Sequence, residues 1–302
     1  MIYTVTFNPA IDYVVRLDRL QPGAINRARE ELVQFGGKGV NVSTVLGNLG
    51  VENVAMGFLA GFTGQALEEG LSAAGIRADF IHLSEGFTRI NVKIKGGEET
   101  EVNGRGPAIG RGALEELFRR LDRLAPGDFL VLAGSIPASL PSDVYEQILA
   151  RLDGRGVQAV VDAEGELLCK VLNYRPFLIK PNNLELGAIF GRELHAPEEI
   201  RDCAAALQRR GARNVLVSMA GDGALLLDET GACHRMPAPK GTVRNSVGAG
   251  DSMVAGFLAG WLRTGSYREA LRLGTAAGSA TAFADGLATR EQVESLLRKL
   301  EP

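Results

Sequence analysis

The stretch "TVRNSVGAGDSMVAGFLAGWLR", residues 242–263, changes character at its middle. Its first half is irregular and contains Gly248 and Gly250. Its second half sets Met253, Val254, Phe257, Leu258 and Trp261 on one broad apolar face at helical spacing. A helix therefore starts at Gly248-Ala249-Gly250. Unpaired N–H groups and the positive end of the helix favour an anion there, and the missing side chains let it come close. Two familiar nucleotide loops match this stretch poorly. A dinucleotide fingerprint needs a third glycine where this chain has Met253, and a strand before the loop. A phosphate-binding loop of the Walker type needs a closing Lys-Ser or Lys-Thr, which is absent.

Outward from this loop, short apolar runs alternate with helical patterns. The runs include "YTVTF" (3–7), "VAMGFL" (54–59), "FLVLAG" (129–134), "AVVDA" (159–163), "FLIKP" (177–181) and "VLVSMAG" (215–221). Between them lie "GALEELFRRLDRL", "SDVYEQILARLDG" and "PEEIRDCAAALQRRG". This alternation predicts βαβ units and a mostly parallel sheet covered by helices. Each run ends in small or polar residues, such as Asn8, Gly61, Gly134-Ser135, Asp162, Lys180 to Asn182, and Ser218 with Gly221. In an open α/β sheet ligands bind beyond the carboxyl ends of strands, so the row predicts an extended site along one sheet edge. Two stretches break the pattern, 11–35 and 87–106. Both read as β-structure with polar alternation, and "INVKIKGGEETEVN" reads as a hairpin with Gly96-Gly97 near its turn. We read one domain, 1–302, with an α/β core of 1–10, 36–86 and 107–302 and a β-lid from the two insertions.

Of the 302 residues, 45% are hydrophobic and 23% charged, and the net charge is -3. That balance fits a globular chain and favours neither nucleic acid nor an anionic membrane as partner. No apolar stretch approaches the roughly 20 residues that cross a bilayer. Cys169, Cys203 and Cys233 are an odd number without paired spacing, which fits free thiols in a reducing compartment. The expectation is a cytoplasmic protein.

Asp251 follows the glycine loop at once. Two readings stand on the residues alone. The carboxylate caps its helix, or it accepts the proton of a hydroxyl attacking a phosphoryl group held by the loop. In the second reading it is a weak base, because the helix start favours its ionised form.

"NSVGAGDSMVAGF", "FGGKGVNVS", "LAGSIP", "KPNNLEL" and "VSMAGDGALL", with "NPAIDYVV" and "TRINVKI", occur in the order found in the ribokinase-like (PfkB) sugar kinases, and the resemblance spans essentially the whole chain. It implies a three-layer α/β/α core with a mostly parallel sheet, plus a small β-sheet lid that in many members pairs two subunits as a homodimer. It implies ATP and Mg2+, and a sugar phosphate as acceptor. The motifs are most similar to those of members acting on O6 of fructose 1-phosphate, and overlap with those acting on tagatose 6-phosphate or fructose 6-phosphate.

Carried over by position, the resemblance makes Asp251 the base and Gly248, Ala249 and Gly250 the anion hole. Asn182 and Glu185 help place Mg2+, largely through water, which suits an ion that keeps much of its hydration. Lys180, Asn182, Ser218, Gly221, Gly223, Ser246, Val247, Gly248 and Gly250 meet the nucleotide. Asp12, Gly36, Gly37, Asn41, Asn91, Asn103 and Ser135 meet the sugar. Lys38, Arg89 and Arg105 meet its phosphate, as cations suited to one. Asn245, Val247 and Gly286 fall where some members bind K+, and Asn245 replaces an aspartate found in some of them, so that site stays open. Two readings from other classes remain: a non-catalytic sugar-phosphate-binding regulator, and a nicotinamide dehydrogenase, which the failed fingerprint disfavours.

Overall fold

The computed structural model describes residues 1–300. From the amino terminus, β1 (Ile2–Thr6) leads into β2 (Ala10–Arg16) and β3 (Glu30–Gly36), and then α1 (Lys38–Asn48), β4 (Asn53–Ala60), α2 (Gly61–Ala73) and β5 (Arg77–Leu83). A hairpin of β6 (Arg89–Gly96) and β7 (Glu98–Asn103) comes next, turning through Gly97. Then follow α3 (Arg111–Leu121), β8 (Phe129–Ala133), α4 (Val144–Leu152), β9 (Gln158–Asp162), α5 (Gly165–Val171), β10 (Leu178–Ile179), α6 (Asn183–Ile189) and α7 (Pro197–Arg209). β11 (Asn214–Ser218), β12 (Ala224–Leu227) and β13 (Cys233–Met236) precede the last helices, α8 (Ala249–Thr264), α9 (Tyr267–Ala282) and α10 (Arg290–Leu297).

Nine strands form one sheet in the order β13-β12-β11-β10-β9-β8-β1-β4-β5. Pairing is parallel from β11 through β5, and antiparallel only at β12 and β13. The runs seen in the sequence are continuous because both faces are covered. Alternate residues of one strand enter different cores. Phe129 and Val131 of β8 pack with α1, α8, α9 and α10, while Leu130 and Leu132 pack with α3, α4, α5 and α7. The expected three-layer α/β/α class is borne out. The chain crosses from β5 back to β8 on the other side of β1, so a topological switch lies between β1 and β8. A crevice opens there beyond the carboxyl ends of the strands.

The second sheet has four strands, in the order β3-β2-β6-β7. Its register divides the side chains cleanly, because neighbours along a strand face opposite ways. One row across the sheet is Gln34, Asp12, Asn91 and Asn103, and the row beside it is Val33, Tyr13, Val92 and Val102. The next row is Leu32, Val14, Lys93 and Glu101, on the same face as the first. The small sheet thus turns a polar face toward the crevice. The other face is apolar, with Val33 and Val102 57% and 60% exposed.

Candidate active site

The crevice holds a cavity of about 440 Å³. Asp12, Gly37, Lys38, Asn41, Arg89, Asn91, Asn103, Lys180, Asn182, Glu185, Ser218, Val247, Gly248, Gly250 and Asp251 all line it. Residues drawn from across the sequence therefore meet around one space. Asp162, Lys93 and Glu101 line it too, and sequence reasoning did not pick them as site residues.

At one end stands the start of α8. Gly248 precedes the helix with φ 79°, and a Cβ there would lie 2.7 Å from Leu287 Cδ2. No side chain caps the helix. Gly250 has Lys180 Nζ 3.1 Å from where its Cβ would be, so a side chain would crowd that ammonium. Asp251, in the first turn, is buried, and its Oδ2 accepts a hydrogen bond from Asn41 Nδ2 at 2.8 Å. Burial, and then the nearby Asp162 carboxylate, push its pKa up to about 6, against the Asn41 bond, Lys180 and Lys38. The shift is opposite in direction to the one the helix start alone would give. The helix start favours the anion, but enclosure beside a second carboxylate outweighs it.

Asp162, at the end of β9, is 1% exposed, and its Oδ1 lies 3.5 Å from both Lys38 Nζ and Lys180 Nζ. A buried carboxylate needs such partners. Burial pulls the Lys38 ammonium down, but Asp162, Asp251, Glu185 and Glu164 together hold its pKa above the usual value. The charge of Lys38 is thus turned toward the strand ends, away from the lid. Asn182 and Glu185 form a reciprocal cap on α6: Asn182 N donates to Glu185 Oε2 and Glu185 N donates to Asn182 Oδ1, each at 2.8 Å. That leaves one carboxylate oxygen of Glu185 outside the cap. Among the described residues no group of three His, Cys, Asp or Glu side chains could grip a metal. One spare carboxylate oxygen beside a phosphate site fits Mg2+, which binds through few protein atoms, water and substrate phosphates.

At the other end is the small sheet. Asp12 Oδ1 accepts from Asn91 Nδ2 at 2.8 Å, and Asp12 Oδ2 lies 3.3 Å from Lys93 Nζ. Arg89 Nε donates to the Asn8 carbonyl at 3.1 Å, and burial holds its pKa down against the pull of Asp12. Gly36 packs between Asp12 and Asn41, whose oxygens lie 3.2 and 3.8 Å from where its Cβ would be. Asp12, Gly36 and Asn41 thus make a continuous floor reaching Asp251.

The remaining candidates lie apart. Arg105, Ser135, Ser246 and Gly221 are exposed and outside the cavity lining, and buried Gly223 and half-buried Ala249 lie outside it too. Gly221 lies in a 3₁₀ turn over Ala220–Asp222, directly after β11, and Gly223 follows it. Asn245, Val247 and Gly286 come together around another cavity of about 260 Å³, which shares Asp12, Asn41 and Val247 with the first. Of the missed residues, Lys93 and Glu101 had a signal. They stand two residues from Asn91 and Asn103, on the same strand faces. Asp162 stood in the row of strand-end residues, but its role was not readable, because it depends on which strand lies next to β10.

The profile of the pfkB family carbohydrate kinases matches residues 5–293. The chain belongs to this family. The resemblance read from the motifs is borne out. The chain is 45% identical to the 1-phosphofructokinase of Bacillus subtilis (strain 168), with all of this chain and 99% of that protein covered. It is 39% identical to the D-tagatose-1-phosphate kinase of Bacillus licheniformis, with 100% and 99% covered. A crystal structure of a putative phosphofructokinase from Staphylococcus aureus superposes with a TM-score of 0.90 at 42% identity, covering 100% of this chain and 98% of that one. No helix among the described residues is long and apolar enough to cross a membrane.

Proposed function

We propose that this kinase transfers the γ-phosphoryl group of ATP to O6 of fructose 1-phosphate, giving fructose 1,6-bisphosphate and ADP. The observation that carries this reading is Asp251, buried beside the glycine-lined start of α8 and joined through Asn41 to the floor under Asp12. The sugar lies on that floor, its hydroxyls on Asp12 and Asn41. Its O6 faces Asp251, which takes the proton as O6 bonds to phosphorus and the bond to the ADP oxygen breaks. N–H groups around Gly248 and Gly250 hold the migrating group, and Lys180 and Lys38 neutralise its charge. Mg2+, when bound through Glu185 and water, screens the ATP phosphates. The raised pKa of Asp251 makes it a better proton acceptor near neutrality than an ordinary aspartate.

The small sheet acts as a lid that excludes water when the site fills. Its apolar outer face, with Val33, Tyr13, Val92 and Val102 in one row, supports a homodimer formed by two such sheets. Light scattering of purified protein checks this: a monomer at working concentration rules it out.

The D-tagatose-1-phosphate kinase relative favours a second reading, in which the C4 epimer is the acceptor. A coupled ADP-release assay across fructose 1-phosphate, tagatose 1-phosphate, tagatose 6-phosphate and fructose 6-phosphate separates them. Preference for fructose 1-phosphate is expected, and turnover of none of these sugars would reject the kinase reading in favour of a binding regulator.

A further inference from the structure

The inner face of the small sheet carries a cation that has no settled task. Lys93 follows Arg89 and Asn91 at alternate positions of β6, and all three line the cavity. The Lys93 side chain is only 10% exposed. Its Nζ lies 3.3 Å from Asp12 Oδ2 and 3.8 Å from Glu101 Oε1, and it makes no hydrogen bond among the described residues. An ammonium has three donors, and two loose carboxylate contacts leave it able to turn a donor to a ligand in the cavity it lines. Glu101 is itself partly engaged, accepting from Asn103 Nδ2 at 3.5 Å. Beside them Arg89 spends Nε on a carbonyl and, among the described residues, has no carboxylate within ion-pair distance. The cations at the other end, Lys38 and Lys180, both lean on Asp162.

The substrate in the reading above has its reacting hydroxyl on C6 and its phosphate on C1, at opposite sides of the ring. With O6 at Asp251, the phosphate is carried toward the small sheet. We propose that Lys93, together with Arg89, binds the phosphate that the sugar brings, and that Lys93 leaves Asp12 for a phosphate oxygen when it does so. The exchange has a consequence for specificity. A sugar phosphate supplies the anion that draws Lys93 away and frees Asp12 Oδ2 for sugar hydroxyls. A sugar without a phosphate meets an aspartate still engaged by Lys93 and Asn91. Lys93 is then a specificity residue that couples recognition of the phosphate to recognition of the ring. This inference rests on the sugar-phosphate kinase reading.

The test uses full-length Lys93→Met and Lys93→Arg. Loss of charge-assisted bonds to phosphate predicts a KM for fructose 1-phosphate raised about 10- to 100-fold in Lys93→Met. KM for ATP and kcat stay close to wild type, and Lys93→Arg recovers most of the loss. Inorganic phosphate, competing with the sugar phosphate in the wild type, competes correspondingly less in Lys93→Met. An unchanged KM, or equal rises in the KM values of ATP and sugar phosphate, overturns the proposal. So does an equal loss on unphosphorylated fructose, because Lys93 would then act only through Asp12. If Lys93→Met does not fold, as read by circular dichroism, Lys93→Gln takes its place. If the wild type turns over no sugar phosphate, the kinase reading fails. Calorimetry of inorganic phosphate with wild type and Lys93→Met then still decides the part played by Lys93: equal binding rejects it.

Discussion

Helices α1 and α8 start alike. Each begins after a glycine in a backbone conformation that side chains resist, Gly37 at φ 110° and Gly248 at φ 79°, and neither has a side-chain cap. Both starts open on the same cavity. Yet α1 places a lysine, Lys38, at its first position, while α8 places an aspartate, Asp251, in its first turn. A lysine beside the positive end of a helix is unfavourable and an aspartate favourable by the dipole alone. The surroundings reverse both preferences. Carboxylates gathered around Lys38 raise its pKa, and burial near Asp162 raises that of Asp251. The lesson is that a glycine-led helix start offers N–H groups, and its neighbours decide what those groups serve.

The sharpest way to break the comparison is at α8. Asp251→Asn should cut turnover by about 10²-fold or more, with ATP affinity by calorimetry largely kept. Near-normal turnover would remove the proton acceptor from the scheme. At α1, Lys38→Met should lower kcat by about 10- to 100-fold, as expected for a lost charged contact to the migrating group. A rise confined to the KM for sugar phosphate would instead return Lys38 to the substrate's own phosphate, as its sequence motif implied.

The acid side of the pH profile sharpens the contrast further. Asp251 must be ionised to accept a proton, so kcat/KM should fall as pH drops through about 6. Asn41→Leu deletes the hydrogen bond that lowers this pKa, so the fall should move to higher pH. A limb that stays in place, in a variant that still turns over, would mean that another group sets it. The smallest expected effect on chemistry is Gly37→Ala. A Cβ there would meet Thr6 Cγ2 at 2.7 Å and the Pro9 Cα at 3.1 Å. The strain should cost about 1–3 kcal/mol of stability, read from the urea midpoint.

Much of this could be read from the sequence, for identifiable reasons. Parallel strands buried on both faces show as unbroken apolar runs, so β4, β8, β9 and β11 were legible. The edge strands β5 and β13 have no such run, and β12, beside β13, is only four residues long; none of the three was picked out. The start of α8 was legible because a loop and its helix are neighbours in the chain. The role of Asp162, noted only as a strand-end residue, was not, because two lysines 124 and 18 residues away in sequence give it meaning only after the strands are ordered. Lys38 was read as a cation for the substrate's phosphate; it lines the cavity, and the direction of its charge depends on that same strand order. Lys93 shows the opposite failing, since it stands two residues from Asn91 on the same strand face and strand alternation alone could have joined it to Asn91.

The register of the small sheet has a further bearing, on how such chains tolerate insertions and deletions. Along β6, Asn91 and Lys93 face the cavity while Val92 faces outward. Removing one residue within β6 would carry polar side chains to the outer surface and valines into the site. Removing two would restore the facing while changing which residues arrive. Length changes among relatives should therefore gather at the β6–β7 turn around Gly97, whose φ of 97° marks it as a bend without a packed side chain.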